Sequence, residues 1–156
     1  MVLAPTRELA QQVAEEMNLL QGTHGLKIMT VYGGTDLEKQ ARGLDSGVDL
    51  IIGTPGRVMD MSERGHLDLA KVEVFCLDEA DRMLDMGFLP DILWILERTT
   101  SRNQTLLFSA TFPQEILDAA NEFMDNPEFV LTNEEELDIP PIDLYRISIG
   151  LSLIHI

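Results

Sequence analysis

Basic side chains are scarce in this chain. Eleven lysines and arginines stand against 27 aspartates and glutamates, a formal net charge of −16 with an isoelectric point near 4.3. That balance excludes a broad basic surface as the means of gripping nucleic acid. Any such contact has to be local, made by a few arginines, backbone N–H groups and helix N-termini. Cysteine is nearly absent too. The single one, Cys76, lies inside an apolar run and reads as a small buried core residue, which excludes a disulfide framework and fits a reducing compartment, with the cytoplasm as the default. No stretch approaches the roughly 18 apolar residues of a membrane span, and no basic start followed by an apolar core suggests a signal peptide. None of His24, His66 and His155 has a nearby ligand set, so metal coordination by histidine is not expected. Internal repeats and heptads are missing as well. What is present is 156 residues, 45% hydrophobic and 24% charged, enough for one domain with a real core.

The chain is organised around Val74 to Asp85. Val74 to Leu77 is a continuous apolar run, the pattern of a parallel strand buried on both faces. Polarity then flips, with Asp78, Glu79 and Asp81 at the carboxyl end of that strand, where open α/β sheets bind ligands. A carboxylate there suits magnesium, which takes one or two protein carboxylates and fills its other positions with water and substrate phosphates. A second acid beside it can orient or deprotonate an attacking water. The plainer reading is that acids in a first helical turn complement the backbone dipole, worth about 0.3–1 kcal/mol each.

Other strand ends carry comparable groups. Val2 to Ala4 reads as the end of a strand, and Pro5-Thr6-Arg7 opens a helix capped by Thr6, with Leu9, Ala10, Val13, Ala14, Met17 and Leu20 on its apolar face. Leu26 to Tyr32 alternates like a strand and halts at Gly33-Gly34, a tight turn or a place where backbone can approach a phosphate closely. Asp36 to Leu44 is a short helix. Val48 to Ile52 is a buried strand, and Thr54 with Pro55 at the first helical position starts the next helix ahead of Gly56 and Arg57. After the central acids come a short helix closed at Gly87, a helix over Pro90 to Arg98 with Trp94 as core or rim packing, and a buried strand over Gln104 to Phe108 ending in Ser109-Ala110-Thr111. A helix from Phe112-Pro113 to Met124 and a short strand over Pro127 to Leu131 follow.

Alternating strands and helices predict a parallel α/β sheet with helices on both faces. Pro5-Thr6-Arg7-Glu8-Leu9-Ala10, Thr54-Pro55-Gly56-Arg57, Asp78-Glu79-Ala80-Asp81 and Ser109-Ala110-Thr111 occur in order, with Gly33-Gly34 between the first two and Gly87-Phe88 after the third. This series resembles the DEAD-box ATP-dependent RNA helicases over nearly all of residues 2 to 149. The resemblance implies a first RecA-like domain over 1–133 that binds ATP and one RNA strand. It implies that Asp78 holds Mg2+, largely through water and with Glu79 beside it, and that Glu79 orients the water that attacks the γ-phosphate. Asp81 would bond to Ser109 and Thr111, linking the nucleotide site to the RNA side. Pro5, Thr6, Arg7, Gly33, Gly34, Thr54, Pro55, Gly56 and Arg57 would hold RNA through its sugar–phosphate backbone, largely independently of base identity.

The chain also departs from the family's pattern. It contains no Gly-x-x-x-x-Gly-Lys-Ser/Thr phosphate loop, which the family places upstream of Pro5, and neither the family's adenine-reading glutamine nor its second RecA-like domain with arginine fingers. The expectation is therefore a helicase domain lacking its phosphate-loop strand, inactive alone as an ATPase. Residues 134–150 read as an acidic, proline-bearing linker and the start of the second domain, and 151–156 as the translation of a sequencing-library adapter. A non-catalytic RNA- or protein-binding module and a related DNA helicase are the competing readings.

Overall fold

The computed structural model describes residues 1–124 and 126–130, so the linker and adapter readings lie outside the described residues. In chain order the elements are β1 (Val2–Leu3), α1 (Arg7–Leu20), β2 (Ile28–Val31), α2 (Leu37–Asp45), β3 (Leu50–Gly53), α3 (Pro55–Glu63), a 3-10 turn (Leu69–Lys71), β4 (Val74–Leu77), α4 (Ala80–Asp85), α5 (Leu89–Arg98), β5 (Gln104–Leu107) and α6 (Gln114–Phe123). The five described strands form one parallel sheet in the order β2-β3-β1-β4-β5. The shortest strand is thus the central one. β1 is an apolar pair with only two paired residues, yet Leu3 and Ala4 are fully buried between the neighbours on either side.

The two faces of the sheet are covered unequally. On one, Leu3, Val31, Phe75 and Leu77 pack under the helices that follow, against Ala41, Val58, Met61, Met83, Ile92, Ile95 and Ile116. On the other, α1, alone among the described helices, lays Ala10 and Ala14 over Val2, Ile52 and Tyr32. Small side chains let this helix sit close, and it reaches only the β2-β3-β1 half, so Met17 and Leu20 towards its end are exposed.

This asymmetry corrects the expectation for β4. Its apolar run predicts burial on both faces, but only Phe75 and Leu77 are buried, at 0% and 2% exposure; Val74 is 40% exposed and Cys76 half-buried. The described helix on their side of the sheet, α1, lies mainly over β2 and β3. Burial still dominates the Cys76 thiol, with the neighbouring Asp78 carboxylate adding to it, and together they push its pKa up to about 11, so the thiol stays protonated. β5, also read as buried, is an edge strand with partly exposed residues, and Phe108 beyond it is 56% exposed. Pro127 to Val130 forms no strand, because a run of β-formers needs a ladder partner and none of the described strands pairs with it. Trp94 is partly buried at the rim of the core, with the Arg98 guanidinium stacked 3.7 Å from its ring centre.

Gly53 is closely enclosed within the sheet. A Cβ there would stand 2.5 Å from the Val31 carbonyl oxygen and 2.7 Å from Val58 Cγ2. The oxygen cannot step aside, since it accepts the Thr54 N–H at 3.0 Å. Gly53→Ala should therefore destabilise the chain by about 1–3 kcal/mol, the usual cost of overpacking. Urea unfolding measures this, and an unchanged midpoint would contradict it.

Candidate functional site

The ladder register brings every strand to its carboxyl end at one level. Leu3 pairs with Gly53 on one side and Leu77 on the other, Val31 with Gly53, and Leu77 with Leu107. The next rung is closed by Ala4 N–H to Gly53 O at 2.9 Å, Asp78 N–H to Leu3 O at 3.0 Å and Phe108 N–H to Leu77 O at 2.8 Å. All the motif residues that follow these strands therefore emerge along one sheet edge, in strand order. Gly33-Gly34 comes first, then Thr54 to Arg57, Thr6-Arg7, Asp78-Glu79 and finally Ser109 to Thr111.

At the β4–β5 end, Asp78 is half-buried and its Oδ1 accepts the Glu79 N–H at 3.0 Å. Burial raises its carboxyl above the usual range; the Glu79 N–H opposes that and the Glu79 charge adds to it. Glu79 itself has a left-handed backbone, φ 52° and ψ 53°, and precedes the first turn of α4. Its Oε2 accepts from Arg82 Nη1 at 3.1 Å. Asp81 points the other way. Its Oδ2 accepts both the Thr111 hydroxyl at 2.9 Å and the Thr111 N–H at 3.0 Å, while its own N–H donates to Ser109 Oγ at 3.2 Å. The Ser109 hydroxyl donates a hydrogen bond to the Thr111 carbonyl at 2.6 Å, which folds 109–111 into a closed turn. Partial burial would raise the Asp81 carboxyl, but the Thr111 hydroxyl and the Arg82 and Thr111 N–H groups outweigh it, so the group lies below its ordinary value.

No group of three or more His, Cys, Asp or Glu that could hold a metal exists among the described residues. A hard divalent cation that keeps most of its water needs fewer protein ligands. Asp78, with its carboxylate partly desolvated and a second acid next to it, fits a magnesium ion of that kind.

At the other end, Thr6 caps α1 by accepting the Leu9 N–H at 3.3 Å, and the Arg7 side chain is exposed beside Glu8. Gly34, with φ 79°, lies so close to Arg7 that a Cβ would be 3.6 Å from Nη1. Thr54 occupies the position preceding α3, but its hydroxyl makes no capping bond; Val58 N–H is the first to bond into the helix, to Thr54 O at 3.2 Å. Pro55 has no N–H, which leaves Gly56 and Arg57 N–H at the helix start. Pro5 and Pro55 are buried and shape these turns without offering a surface.

The geometry also includes residues that the motif reading passed over. Arg57 Nη1 donates to Gln40 Oε1 at 3.1 Å, and Gln40 Nε2 donates to Tyr32 O at 3.1 Å and Thr35 Oγ1 at 2.6 Å. A signal was available in the sequence: Leu37, Gln40, Ala41 and Leu44 share one helical face, and a glutamine on an apolar face asks for partners. His66, by contrast, meets only Asp45, at 3.1 Å.

A five-stranded parallel sheet with its motif loops gathered at one carboxyl edge is a RecA-like α/β domain. The DEAD/DEAH box helicase profile matches residues 1–119, and the chain belongs to that family. It is 44% identical over 149 residues to the DEAD-box ATP-dependent RNA helicase CshA of Geobacillus kaustophilus, covering 96% of this chain and 32% of that protein. Identity to the RNA helicase CrhR of Synechocystis is also 44%, over 97% of this chain and 31% of the relative. Among solved structures, a DEAD box protein from Methanococcus jannaschii superposes with a TM-score of 0.74 at 46% identity, covering 80% of this chain and 34% of that one. A hypothetical ATP-dependent RNA helicase from Sulfolobus tokodaii does so with 0.78 at 40% identity, over 81% and 38%. The chain thus spans about a third of the length of these relatives. No described helix is long and apolar enough to cross a membrane.

Each acid of the site should carry a stability cost that a substitution relieves. A left-handed backbone costs a non-glycine residue about 1–2 kcal/mol. Glu79→Gly should therefore raise the melting temperature by about 2–4 °C, as a gain near 1 kcal/mol does at this size; a lower value would show that the conformation carries no strain. For Asp78 the folded pKa is raised, so its contribution to stability is full below the unfolded value near 3.9 and is lost as pH rises through the folded value. Asp78→Asn should accordingly stabilise the chain at pH 7 and make no difference at about pH 3. Equal melting temperatures at pH 7 would contradict this.

Proposed function

We propose that this chain is part of an ATP-dependent RNA helicase, supplying the larger share of its first RecA-like domain. In the whole protein, ATP binding and hydrolysis would be coupled to RNA strand binding and to local duplex unwinding or RNA–protein remodelling. Asp78 and Glu79 serve the nucleotide. Asp78 holds the water shell of a magnesium ion, which supplies charge neutralisation at the phosphates when bound, and Glu79 orients the attacking water. The left-handed turn at Glu79 aims its carboxylate away from the direction a regular helix start would impose. Pro5, Thr6, Arg7, Gly33, Gly34, Thr54, Pro55, Gly56 and Arg57 form the RNA side, with turns that let backbone and arginine reach phosphates and sugars without reading bases.

The observation that carries this reading is the Asp81–Thr111 pair, closed by two bonds at 2.9 and 3.0 Å between the segments that follow β4 and β5. It ties the turn next to Asp78 and Glu79 to the segment after the edge strand. A shift of either segment on nucleotide binding has to be transmitted through this pair or break it.

The domain reading includes a phosphate-loop strand that this sequence does not contain. Two features support a strand site beside β5. β5 is the sheet's edge and pairs only with β4 among the described strands, and an apolar groove lined by Leu107, Phe108, Phe112, Met124 and Phe129 runs alongside it. An unpaired edge over an apolar groove is what a parallel strand docks on. Without that strand and its loop the β- and γ-phosphates have no cradle.

The chain alone should therefore release no phosphate from ATP, with or without RNA, above a Glu79→Gln control. RNA-stimulated release above that control would overturn the assignment of the incomplete nucleotide site.

A further inference from the structure

Gln40 sits on the inward face of α2, 7% exposed, where its helical neighbours Ala41 and Leu44 are apolar core. A methionine or leucine would fill such a position at no polar cost. The carboxamide instead has three partners on two elements outside its own. It donates to Tyr32 O and Thr35 Oγ1, which flank Gly33-Gly34, and accepts from Arg57 in the first turn of α3. The Thr35 hydroxyl closes the turn by donating to Tyr32 O at 3.1 Å. Arg57 is further steadied by Thr35 O at 3.5 Å and by Asp60 at 3.9 Å from Nε. As a result its side chain is only 14% exposed, against 54% for Arg7, which has only its neighbour Glu8.

We infer that Gln40 is a positioning residue for RNA: one carboxamide sets the Arg57 guanidinium and the Gly33-Gly34 turn in a fixed relation, so both meet a phosphate backbone already arranged. This rests on the RNA reading proposed above. The rotamer freedom that an arginine surrenders on gripping a phosphate is given up during folding, so less is lost on binding. Gln40 itself touches no RNA, being buried behind the residues that do.

The test is binding of the chain to a labelled single-stranded oligouridylate by fluorescence anisotropy, across about 50 to 200 mM salt. Gln40→Met should weaken binding about fivefold, the worth of one hydrogen bond. It should also lower the salt slope by about one, as loss of a phosphate contact does and as Arg57→Ala should do alone. In the Arg57→Ala background Gln40→Met should have no further effect. Unchanged affinity and slope in Gln40→Met, or a loss repeated in full when Arg57 is already alanine, would overturn the inference. A merely structural role would lower the melting temperature and leave the slope as it was. Should Gln40→Met not fold, Thr35→Val removes one acceptor at an exposed position and should show a smaller loss with the same dependence on Arg57; no such dependence would overturn it equally. Failure of the unsubstituted chain to bind RNA at all would instead refute the RNA reading, whereas binding lost in Arg57→Ala but kept in Gln40→Met refutes only the role of Gln40.

Discussion

Everything functional in this domain depends on the register of one two-residue strand. Leu3 lies opposite Gly53 and Leu77 at once, and that rung fixes where three loops leave the sheet. Gly53 allows the rung to close, because any side chain there would enter the Val31 carbonyl. A slip of one residue would exchange the buried and open faces of the slipped strand and carry its motif loop off the common level. Apolar side chains around Leu3 make that slip costly, so the hydrophobic core and the site are specified by the same contacts.

Strand order then divides the edge by chemistry. The glycine pair and the two arginine-bearing helix starts stand over β2, β3 and β1, and the acids and hydroxyls over β4 and β5. With strands about 4.8 Å apart, the step from β3 to β5 is roughly 14 Å, short enough for a single rigid sheet to relate the two ligands proposed and long enough to keep the arginine-bearing end from the cluster of carboxylates. The arrangement also reconciles the chain's net charge of −16 with the phosphate contacts proposed for the arginine-bearing end. The motif groups at the β2–β3–β1 end are N–H donors, hydroxyls and arginines, and the acids beside them, Glu8 and Asp60, are paired with Arg7 and Arg57.

Much of this was legible in the sequence because parallel strands buried beneath helices announce themselves as short apolar runs, and Gly, Thr-Pro or Asp-Glu after such a run marks its carboxyl end. Val74 to Leu77 showed both the strength and the weakness of that reading. Its strand was evident, but which of its faces is covered depends on how far α1 reaches, and a helix's placement across a sheet leaves no mark in the strand's own residues. Pro127 to Val130 failed as a strand for a related reason, since a strand exists only with a partner. Gln40 was overlooked because its three contacts depend on how the preceding turn and the start of α3 fold back onto α2, although its place on an apolar helical face hinted at them. The left-handed Glu79 had no sequence signal, as glutamate is not a residue that favours that conformation.

The central claim is that one sheet edge is partitioned into an RNA end and a nucleotide end. Amide hydrogen exchange on the chain with and without single-stranded RNA addresses it most directly. The account predicts slowed exchange at Arg7, Gly34, Gly56 and Arg57, with Glu79 and Ala110 unchanged. Protection concentrated at Glu79 and Ala110, or spread evenly along the edge, would contradict it.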